Sequence, residues 1–205
     1  MQITLSNTGK RYNREWIFRH IDYTFTSQKK YAITGANGSG KSTLLQVIAG
    51  ATLHNEGAIH FTSINNTTPI TPESRYKHVS IAAPYLTLIE EMTAQEFLQF
   101  HHALKPLQSS IADILQTVQL QAATHKQIRY YSSGMKQRLK LAQAFFSPSQ
   151  ILLLDEPTTN LDAAGIELYQ YLIANQTQQK LVIISSNDVQ EYQYCDAVLA
   201  IGDYK

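Results

Sequence analysis

One short segment limits what this chain can fold into more than any other feature. Residues 35–42 read Gly-Ala-Asn-Gly-Ser-Gly-Lys-Ser and match the G-x-x-x-x-G-K-S/T pattern of phosphate-binding loops. The apolar run Tyr31–Thr34 before it predicts a strand, and the helical pattern Lys41–Ala49 after it ends at Gly50. Because the motif requires this order of strand, loop and helix, the segment predicts a site for a nucleoside triphosphate.

The residue types in this loop suit the chemistry of phosphate binding. Glycines let the backbone approach phosphate oxygens and aim successive N–H groups inward, and the helix that follows adds its positive N-terminal end. Lys41 is expected to reach the β- and γ-phosphates, and the Ser42 hydroxyl to ligate Mg²⁺. The nucleotide contacts predicted in this segment are Gly35, Ala36, Asn37, Gly38, Ser39, Gly40, Lys41, Ser42 and Thr43.

Two adjacent acids follow a second apolar run. Ile151–Leu154 predicts a strand buried on both faces, and Asp155 and Glu156 come directly after it. An aspartate at the carboxyl end of such a strand is well placed to hold the Mg²⁺ shell, and Glu156 can orient or deprotonate the attacking water. The alternative interpretation is an ordinary boundary between a strand and a turn, where acidic residues are common.

The remaining patterns predict how the rest of the chain is organised. Leu181–Ser185 predicts a third buried strand, and the first thirty residues together with Gly57–Phe61 predict short strands of a smaller antiparallel sheet. Residues 88–147 are mostly helical in pattern. Residues 62–73 predict a surface loop, because they contain two prolines and two asparagines. Strands that alternate with helices indicate an α/β fold.

Composition excludes several classes of protein. The chain has 205 residues and a net charge of +1, so no overall field favours anionic lipid, and no nucleic-acid partner is expected. Its longest aliphatic runs, Ile151–Leu154 and Leu181–Ile184, are far shorter than the about 20 residues of a membrane-spanning helix. Cys195 is the only cysteine, so no internal disulfide is expected, and the N-terminus lacks a signal-peptide pattern. These features predict a cytoplasmic protein.

Two further motifs make the pattern specific. Residues 131–135 read Tyr-Ser-Ser-Gly-Met and are followed by Lys-Gln-Arg, and residues 157–162 read Pro-Thr-Thr-Asn-Leu-Asp. The first looks like a variant of the LSGGQ signature, which is typically followed by x-Q-R, and the second matches the D-loop. With the phosphate loop and the acids, they give a sequence that resembles the ATPase subunit of ABC transporters over almost its whole length.

The resemblance implies a fold, a domain organisation and a set of cofactors. The fold is an α/β P-loop NTPase (RecA-like) core with a small antiparallel β subdomain and an α-helical subdomain. The chain forms a single ABC ATPase domain, with residues 1–84 and 148–205 in the core and β subdomain and residues 85–147 in the helical subdomain. ATP and Mg²⁺ are the expected cofactors, with Ser42 and Asp155 as the metal-site residues.

The signature motif implies a site that two chains share. In the family two cassettes face each other head to tail, so Lys41 of one chain and Ser132 and Gly134 of the other hold the same γ-phosphate. The bare Gly134 amide at the start of a predicted helix suits an anion, whereas the alternative is a Ser-Gly helix cap without a ligand. Tyr12 aligns best with the family aromatic that stacks on adenine, and Trp16 is a second candidate.

Two residues that the family usually supplies for hydrolysis are missing. Asn187 stands where a switch histidine follows the strand after the D-loop, and Ala83 or Pro84 stands where the Q-loop glutamine is expected. Asparagine donates a neutral hydrogen bond but carries no positive charge. Because loss of one preorganised donor in a hydrolytic site costs about 10²–10³ in rate, slow hydrolysis is expected. The expected catalytic residues are Glu156, Lys41 and Asn187.

The motifs predict an ATP-binding and ATP-hydrolysing subunit of an ABC transporter, whose dimerisation moves substrate through separate membrane subunits. The expected partners are a second cassette, taken as an identical copy, and integral membrane subunits, which would place the chain on the inner face of the cell membrane. An apolar cluster either meets the membrane subunit or packs inside the helical lobe; it consists of Tyr85, Leu86, Leu88 and Ile89. The alternatives are a soluble ABC ATPase and a clamp that binds ATP with slow or no hydrolysis.

Overall fold

The structure is a computed structural model that describes residues 1–63 and 66–205, and the strands in these ranges form two sheets. The strands are β1 (Gln2–Tyr12), β2 (Glu15–Thr26), β3 (Lys30–Thr34), β4 (Glu56–Ser63), β5 (Asn66–Pro69), β6 (Val79–Ala82), β7 (Ile151–Asp155), β8 (Leu181–Ser185) and β9 (Ala197–Ala200). One sheet has four strands in the order β2-β1-β4-β5, and the other has five in the order β6-β7-β8-β3-β9.

The five-stranded sheet contains the three strands that the apolar runs predicted. β7, β8, β3 and β9 are parallel, and Asp155 pairs in register with Ser185. Every residue of β7 and β8 is buried. A strand buried on both faces needs a continuous apolar sequence, which explains why these runs identified it. The predictions of strands at Tyr31–Thr34, Ile151–Leu154 and Leu181–Ser185 are confirmed.

The helices begin and end at positions that local sequence explains. They are α1 (Lys41–Ala49), α2 (Ala94–Leu104), α3 (Ile111–Thr117), α4 (Ser133–Phe145), α5 (Ala163–Gln176) and α6 (Val189–Tyr192). Gly50 ends α1 with φ 78°, a left-handed conformation that glycine adopts without a steric penalty, so the predicted end of this helix is confirmed. None of the helices in the described ranges combines the length and the apolar character that a membrane crossing demands.

One sequence-based expectation about the smaller sheet is wrong. Residues 62–73 were expected to form a surface loop, but β4 continues to Ser63 and β5 covers Asn66–Pro69, with Thr62 paired to Pro69. The β-branched threonines of this stretch favour a strand, and a proline is tolerated in an edge strand such as β5. Residues 64 and 65 of the expected loop lie outside the described residues.

The chain divides into two compact units, each with its own core. The first comprises Met1–Ile81, Ser149–Asp155 and Gln179–Lys205 and holds both sheets with α1 and α6. Fully buried side chains at its centre include Phe18, Phe25, Leu44, Phe61 and Leu153. The second unit comprises Ala82–Pro148 and Glu156–Gln178 and holds α2, α3, α4 and α5. Its fully buried side chains include Leu98, Ile114, Leu139, Tyr169 and Leu172.

The burial of β7 predicts a large loss of stability when its core is truncated. Leu153 has no exposed surface, so Leu153→Ala removes three buried carbons and leaves a cavity, with an expected cost of about 2–5 kcal/mol in the free energy of unfolding. Leu104 is 71% exposed, so Leu104→Ala serves as the matched control with an expected change within about 0.5 kcal/mol. Urea unfolding of both variants measures the difference, and equal losses would contradict the assigned burial.

Candidate nucleotide-binding site

The phosphate loop connects the carboxyl end of β3 to the start of α1. Gly40 is the N-cap of α1 with φ 103°, and no side chain caps this helix. The first N–H groups of a helix have no partner within the helix and carry the positive end of its dipole. The N-terminus of α1 is therefore available to an anion, and the predicted contacts Ser42 and Thr43 lie in its first turn.

Two glycines of the loop are required for different physical reasons. A Cβ on Gly40 would overlap Ile17 Cγ2 of β2, so only a bare Cα allows the sheet to pack against the start of α1. Gly38 has φ 76°, and a Cβ there would meet nothing within 4 Å. Its left-handed backbone is one that side chains rarely adopt, and the open space beside it leaves the backbone accessible to a ligand.

Lys41 and Ser39 place polar groups inside the loop. Lys41 is 5% exposed, and its Nζ donates hydrogen bonds to the carbonyl oxygens of Gly35 at 2.8 Å and Ala36 at 3.3 Å. The Ser39 hydroxyl is buried, and among the described residues it finds no hydrogen-bond partner. A buried hydroxyl without a partner is unfavourable, and a phosphate oxygen would accept its proton. The loop therefore fits a phosphate ligand.

Asn187, which replaces the expected histidine, contacts the loop directly. It follows β8, its Oδ1 accepts a hydrogen bond from the Gly35 N–H at 3.3 Å, and its Nδ2 donates to Asn37 Oδ1 at 3.0 Å. The structure thus brings Asn187 to Gly35 and Asn37, two predicted loop residues that lie far from it in the sequence. The bond between Asn187 and Asn37 could not be predicted, because two amides distant in the sequence form no recognisable pattern.

The two acids stand at the carboxyl end of β7. Asp155 is the last residue of this strand and is 2% exposed. Glu156 is half-buried and has φ 42°, a left-handed conformation that is uncommon for residues other than glycine. Strained backbone of this kind persists only where the surrounding structure holds it, and it clusters at functional sites. Ligands of parallel sheets bind at this carboxyl edge, so the position of both acids suits a metal–nucleotide site.

Tyr12 and Trp16 lie on the hairpin of β1 and β2 and differ in how much of each ring is accessible. Tyr12 ends β1 and is 48% exposed, and the Lys10 ammonium lies 4.7 Å from its ring centroid. The Trp16 ring is half-buried and contacts two guanidinium groups, those of Arg11 at 5.4 Å and Arg19 at 4.4 Å. Tyr12 therefore offers more free ring surface for a base than Trp16 does.

The signature motif forms the N-terminus of α4 in the helical unit. Ser132 is its N-cap, and the Ser132 hydroxyl accepts a hydrogen bond from the Met135 N–H at 3.2 Å. A Cβ on Gly134 would lie 3.0 Å from the carbonyl oxygen of Asn160, so the D-loop backbone closely approaches this glycine. A depression of about 410 Å³ opens here; it is lined by Ser132, Ser133, Gly134, Met135, Arg138, Asn160 and Asp162.

Side chains of α4 fasten the signature motif to the D-loop, a role that the x-Q-R pattern alone did not reveal. Gln137 is buried, and its Nε2 donates to the Pro157 carbonyl at 2.8 Å. Arg138 Nη2 donates to Asp162 Oδ1 at 3.0 Å, and Asp162 caps α5 by accepting from the Gly165 N–H at 2.9 Å. The Gly165 N–H and then Arg138 hold the pKa of Asp162 below its usual range.

The segment at Ala83 and Pro84, which lacks the expected glutamine, is held through its backbone carbonyl groups. Lys140 Nζ on α4 donates to the carbonyl oxygens of Ala83 at 3.3 Å and Pro84 at 2.9 Å. Burial, and then the neighbouring Lys136, lower the pKa of Lys140. Lys136 itself pairs with Glu90 at 2.5 Å. These cations of α4 therefore contact groups of the protein itself.

Two adjacent histidines of α2 have structural partners, and the single cysteine is shielded. His101 Nε2 lies 3.1 Å from Ser147 Oγ, and His102 Nδ1 accepts from the Leu107 N–H at 3.0 Å. Burial and the nearby Asp196 raise the pKa of the Cys195 thiol to about 12, so very little thiolate forms near neutral pH. Across the described ranges, no group of three or more His, Cys, Asp or Glu side chains could hold a metal ion.

The geometry defines a class of protein. A glycine loop that opens the N-terminus of a helix, with a lysine inside it and an aspartate at the same edge of a parallel sheet, is the arrangement of a P-loop nucleotide-binding protein. The second helix N-terminus at the signature motif narrows this class to the ATP-binding cassettes that the sequence resembles.

Comparison with known proteins gives the family. The ABC transporter family model matches residues 18–159. YybJ of Bacillus subtilis, an uncharacterized ABC transporter ATP-binding protein, is 30% identical and aligns with 98% of this chain and 92% of its own length. The cytochrome c biogenesis ATP-binding export protein CcmA of Brucella abortus is 28% identical over 92% of this chain and 86% of that protein. The chain belongs to the ABC transporter family, as an ATP-binding subunit with ATPase activity.

Solved structures confirm the fold. A putative ABC transporter ATP-binding protein from Pyrococcus furiosus has a TM-score of 0.84, with all of both chains covered at 20% identity. A dimeric bacterial ABC transporter cassette has a TM-score of 0.81, with 98% of this chain and 95% of that chain covered at 21% identity. The predicted P-loop NTPase core with antiparallel and helical subdomains is therefore confirmed.

The packing at Gly40 predicts that a single methyl group disrupts nucleotide binding. Gly40→Ala places a side chain at φ 103° and against Ile17, so we expect ATP affinity to fall about 10- to 100-fold. Gly202→Ala is the control, because a Cβ at Gly202 meets nothing within 4 Å. Titration of a fluorescent ATP analogue measures both variants, and an unchanged affinity in Gly40→Ala would show that the loop tolerates the side chain.

Proposed function

We propose that two copies of this chain close on ATP and Mg²⁺, with each γ-phosphate held by Lys41 of one protomer and by Ser132 and Gly134 of the other. One observation carries this proposal: in the part of the chain that the structure describes, α1 and α4 both have N-termini suited to an anion. The first, at α1, has its own phosphate loop. The second, at α4, has none and opens instead on the depression of about 410 Å³. A positive helix end without a ligand of its own suits the phosphate of a facing copy.

The proposed chemistry divides between binding groups and groups that act on water. Ser42 and Asp155 supply a hydroxyl and a carboxylate, which are oxygen donors of the kind Mg²⁺ prefers. When bound, Mg²⁺ neutralises negative charge on the phosphates. Glu156 orients the attacking water and accepts its proton, and Asn187 donates a neutral hydrogen bond toward the γ-phosphate.

The proposed assembly also includes membrane subunits. Tyr85 is 43% exposed and Ile89 is 38% exposed, while Leu86 and Leu88 are half-buried. Exposed apolar side chains at the entrance to the helical region, residues 85–147, suit contact with an apolar surface of a partner. A chain bound there would lie at the cytoplasmic face of the membrane. We treat residues 1–205 as a single domain in this assembly.

The shared site predicts that blocking hydrolysis traps a dimer. Glu156→Gln removes the proposed base, so we expect this variant to dimerise at saturating ATP and Mg²⁺. Ser132→Asp, added to Glu156→Gln, keeps a good helix N-cap but adds a negative charge that repels the γ-phosphate of the facing copy. We expect the double variant to stay monomeric while its ATP affinity is unchanged. Size-exclusion chromatography with light scattering measures the association state.

Ser132→Asn is the matched control for this experiment, because asparagine caps a helix about as well as aspartate and carries no charge. In the Glu156→Gln background we expect Ser132→Asn to retain ATP-dependent dimerisation. Lys41→Ala should abolish dimerisation through loss of ATP binding. A Ser132→Asp variant that still forms the ATP-dependent dimer would exclude the signature motif from the γ-phosphate site.

The missing donors predict slow hydrolysis that one substitution accelerates. The kcat should lie roughly 10²–10³-fold below the about 10 s⁻¹ typical of enzymes, since Ala83 and Pro84 present no side-chain donor and Asn187 is neutral. Asn187→His restores an imidazole beside Gly35 and should raise kcat by about 10-fold or more. Phosphate release measures both rates. Asn187→His combined with Glu156→Gln should stay inactive, and ordinary turnover by the unmodified chain would refute the expected deficit.

A further inference from the structure

The ammonium of Lys10 lies against the Tyr12 ring. Its Nζ is 4.7 Å from the ring centroid, which is within the range of a cation–π contact. Lys10 is 8% exposed, whereas Tyr12 is 48% exposed. A lysine this buried is uncommon unless a partner holds it. The ammonium can cover only one face of the ring, so the exposed surface of Tyr12 remains open to a second planar group.

The loop after α1 holds Lys10 in this position. Lys10 Nζ donates to the Leu53 carbonyl at 2.8 Å. On either side of Lys10, the Asn55 N–H donates to the Gly9 carbonyl at 2.8 Å, and the Arg11 N–H donates to Asn55 Oδ1 at 3.0 Å. The same helix that begins at the phosphate loop is thus followed by a loop bonded to β1. Lys10 connects the phosphate-binding helix to the exposed aromatic ring.

We propose that Lys10 is a positioning residue for the nucleotide base. It fixes the Tyr12 ring relative to the phosphate loop, and its charge on one face of the ring favours stacking of a base on the other. A ring that is already ordered loses less conformational freedom when the base binds. A cation on one face also draws electron density from the ring, which favours an electron-rich purine on the other face. This inference rests on the proposed binding of ATP and on the stacking role of Tyr12 that the family resemblance implies.

The test separates base binding from phosphate binding in the full chain. ADP contains the base and two phosphates but lacks the γ-phosphate that would bridge two protomers, and pyrophosphate contains no base. Lys10→Met removes the charge and keeps most of the side-chain length. We expect Lys10→Met to weaken ADP binding about 3- to 10-fold and to leave pyrophosphate binding unchanged. Isothermal titration calorimetry with Mg²⁺ measures both ligands.

A double-mutant cycle and two controls complete the experiment. In a Tyr12→Leu background, Lys10→Met should cause no further loss of ADP affinity, because the ring it positions is absent. Lys10→Arg keeps a cation and should retain most of the ADP affinity. Lys77 lies 5.9 Å from the Tyr76 ring on a different element, so Lys77→Met is a matched change of a lysine–tyrosine pair and should have no effect.

Each other outcome contradicts a stated part of the inference. Unchanged ADP affinity in Lys10→Met would overturn the positioning role. Equal losses for ADP and pyrophosphate would overturn it too, because they would show general damage to the pocket. If Tyr12→Leu alone leaves ADP affinity unchanged, the proposed stacking role of Tyr12 fails first. If Tyr12→Leu weakens ADP binding and Lys10→Met does not, only the inference about Lys10 fails.

Discussion

The phosphate site depends on close packing between the antiparallel sheet and the first turn of α1. Ile17 of β2 occupies the space that a Cβ on Gly40 would need, and Ile201 and Ser39 occupy that of Gly35. These contacts and the hydrogen bond between Asn187 and the loop fix the backbone conformation of the phosphate loop. A free glycine-rich chain would not keep this conformation. The helix N-terminus can then meet an anion without reorganisation, which is the condition for strong electrostatic binding.

A helix N-terminus suited to an anion occurs again at α4, where a different set of contacts holds it in place. There the D-loop backbone packs on Gly134, and Gln137 and Arg138 bond to groups on either side of that loop. The signature motif and the D-loop are therefore one unit mechanically, since neither can shift without breaking a buried hydrogen bond. A phosphate bound at α4 would bias the position of the D-loop as well, which offers a physical link between nucleotide contact and the rest of the helical unit.

The local sequence was sufficient to locate elements that are uniformly buried or that end at an explicit cap. It failed to locate elements and contacts that depend on residues far apart in the sequence. β8 was located because an apolar run bounded by polar residues has few other structures available. β5 was missed because its asparagine and proline indicated a loop, and only the pairing with β4 lets its threonines form a strand. The bond between Asn187 and Asn37, and the stack of Lys10 on Tyr12, join positions with no pattern between them, so only the folded chain reveals them.

The site residues that differ from the family pattern are expected to affect catalysis more than nucleotide binding. The groups proposed to hold the nucleotide in its ground state, including Lys41 and the N-terminus of α1, match the family pattern. The residues at 83, 84 and 187, which differ from it, are those expected to act on the water or on charge developing at the γ-phosphate. Binding energy that is equal in the ground and transition states does not raise kcat. A cassette of this composition would hold ATP well but hydrolyse it slowly. Its closed, ATP-bound state would therefore persist longer than that of a cassette that has both the Q-loop glutamine and the switch histidine.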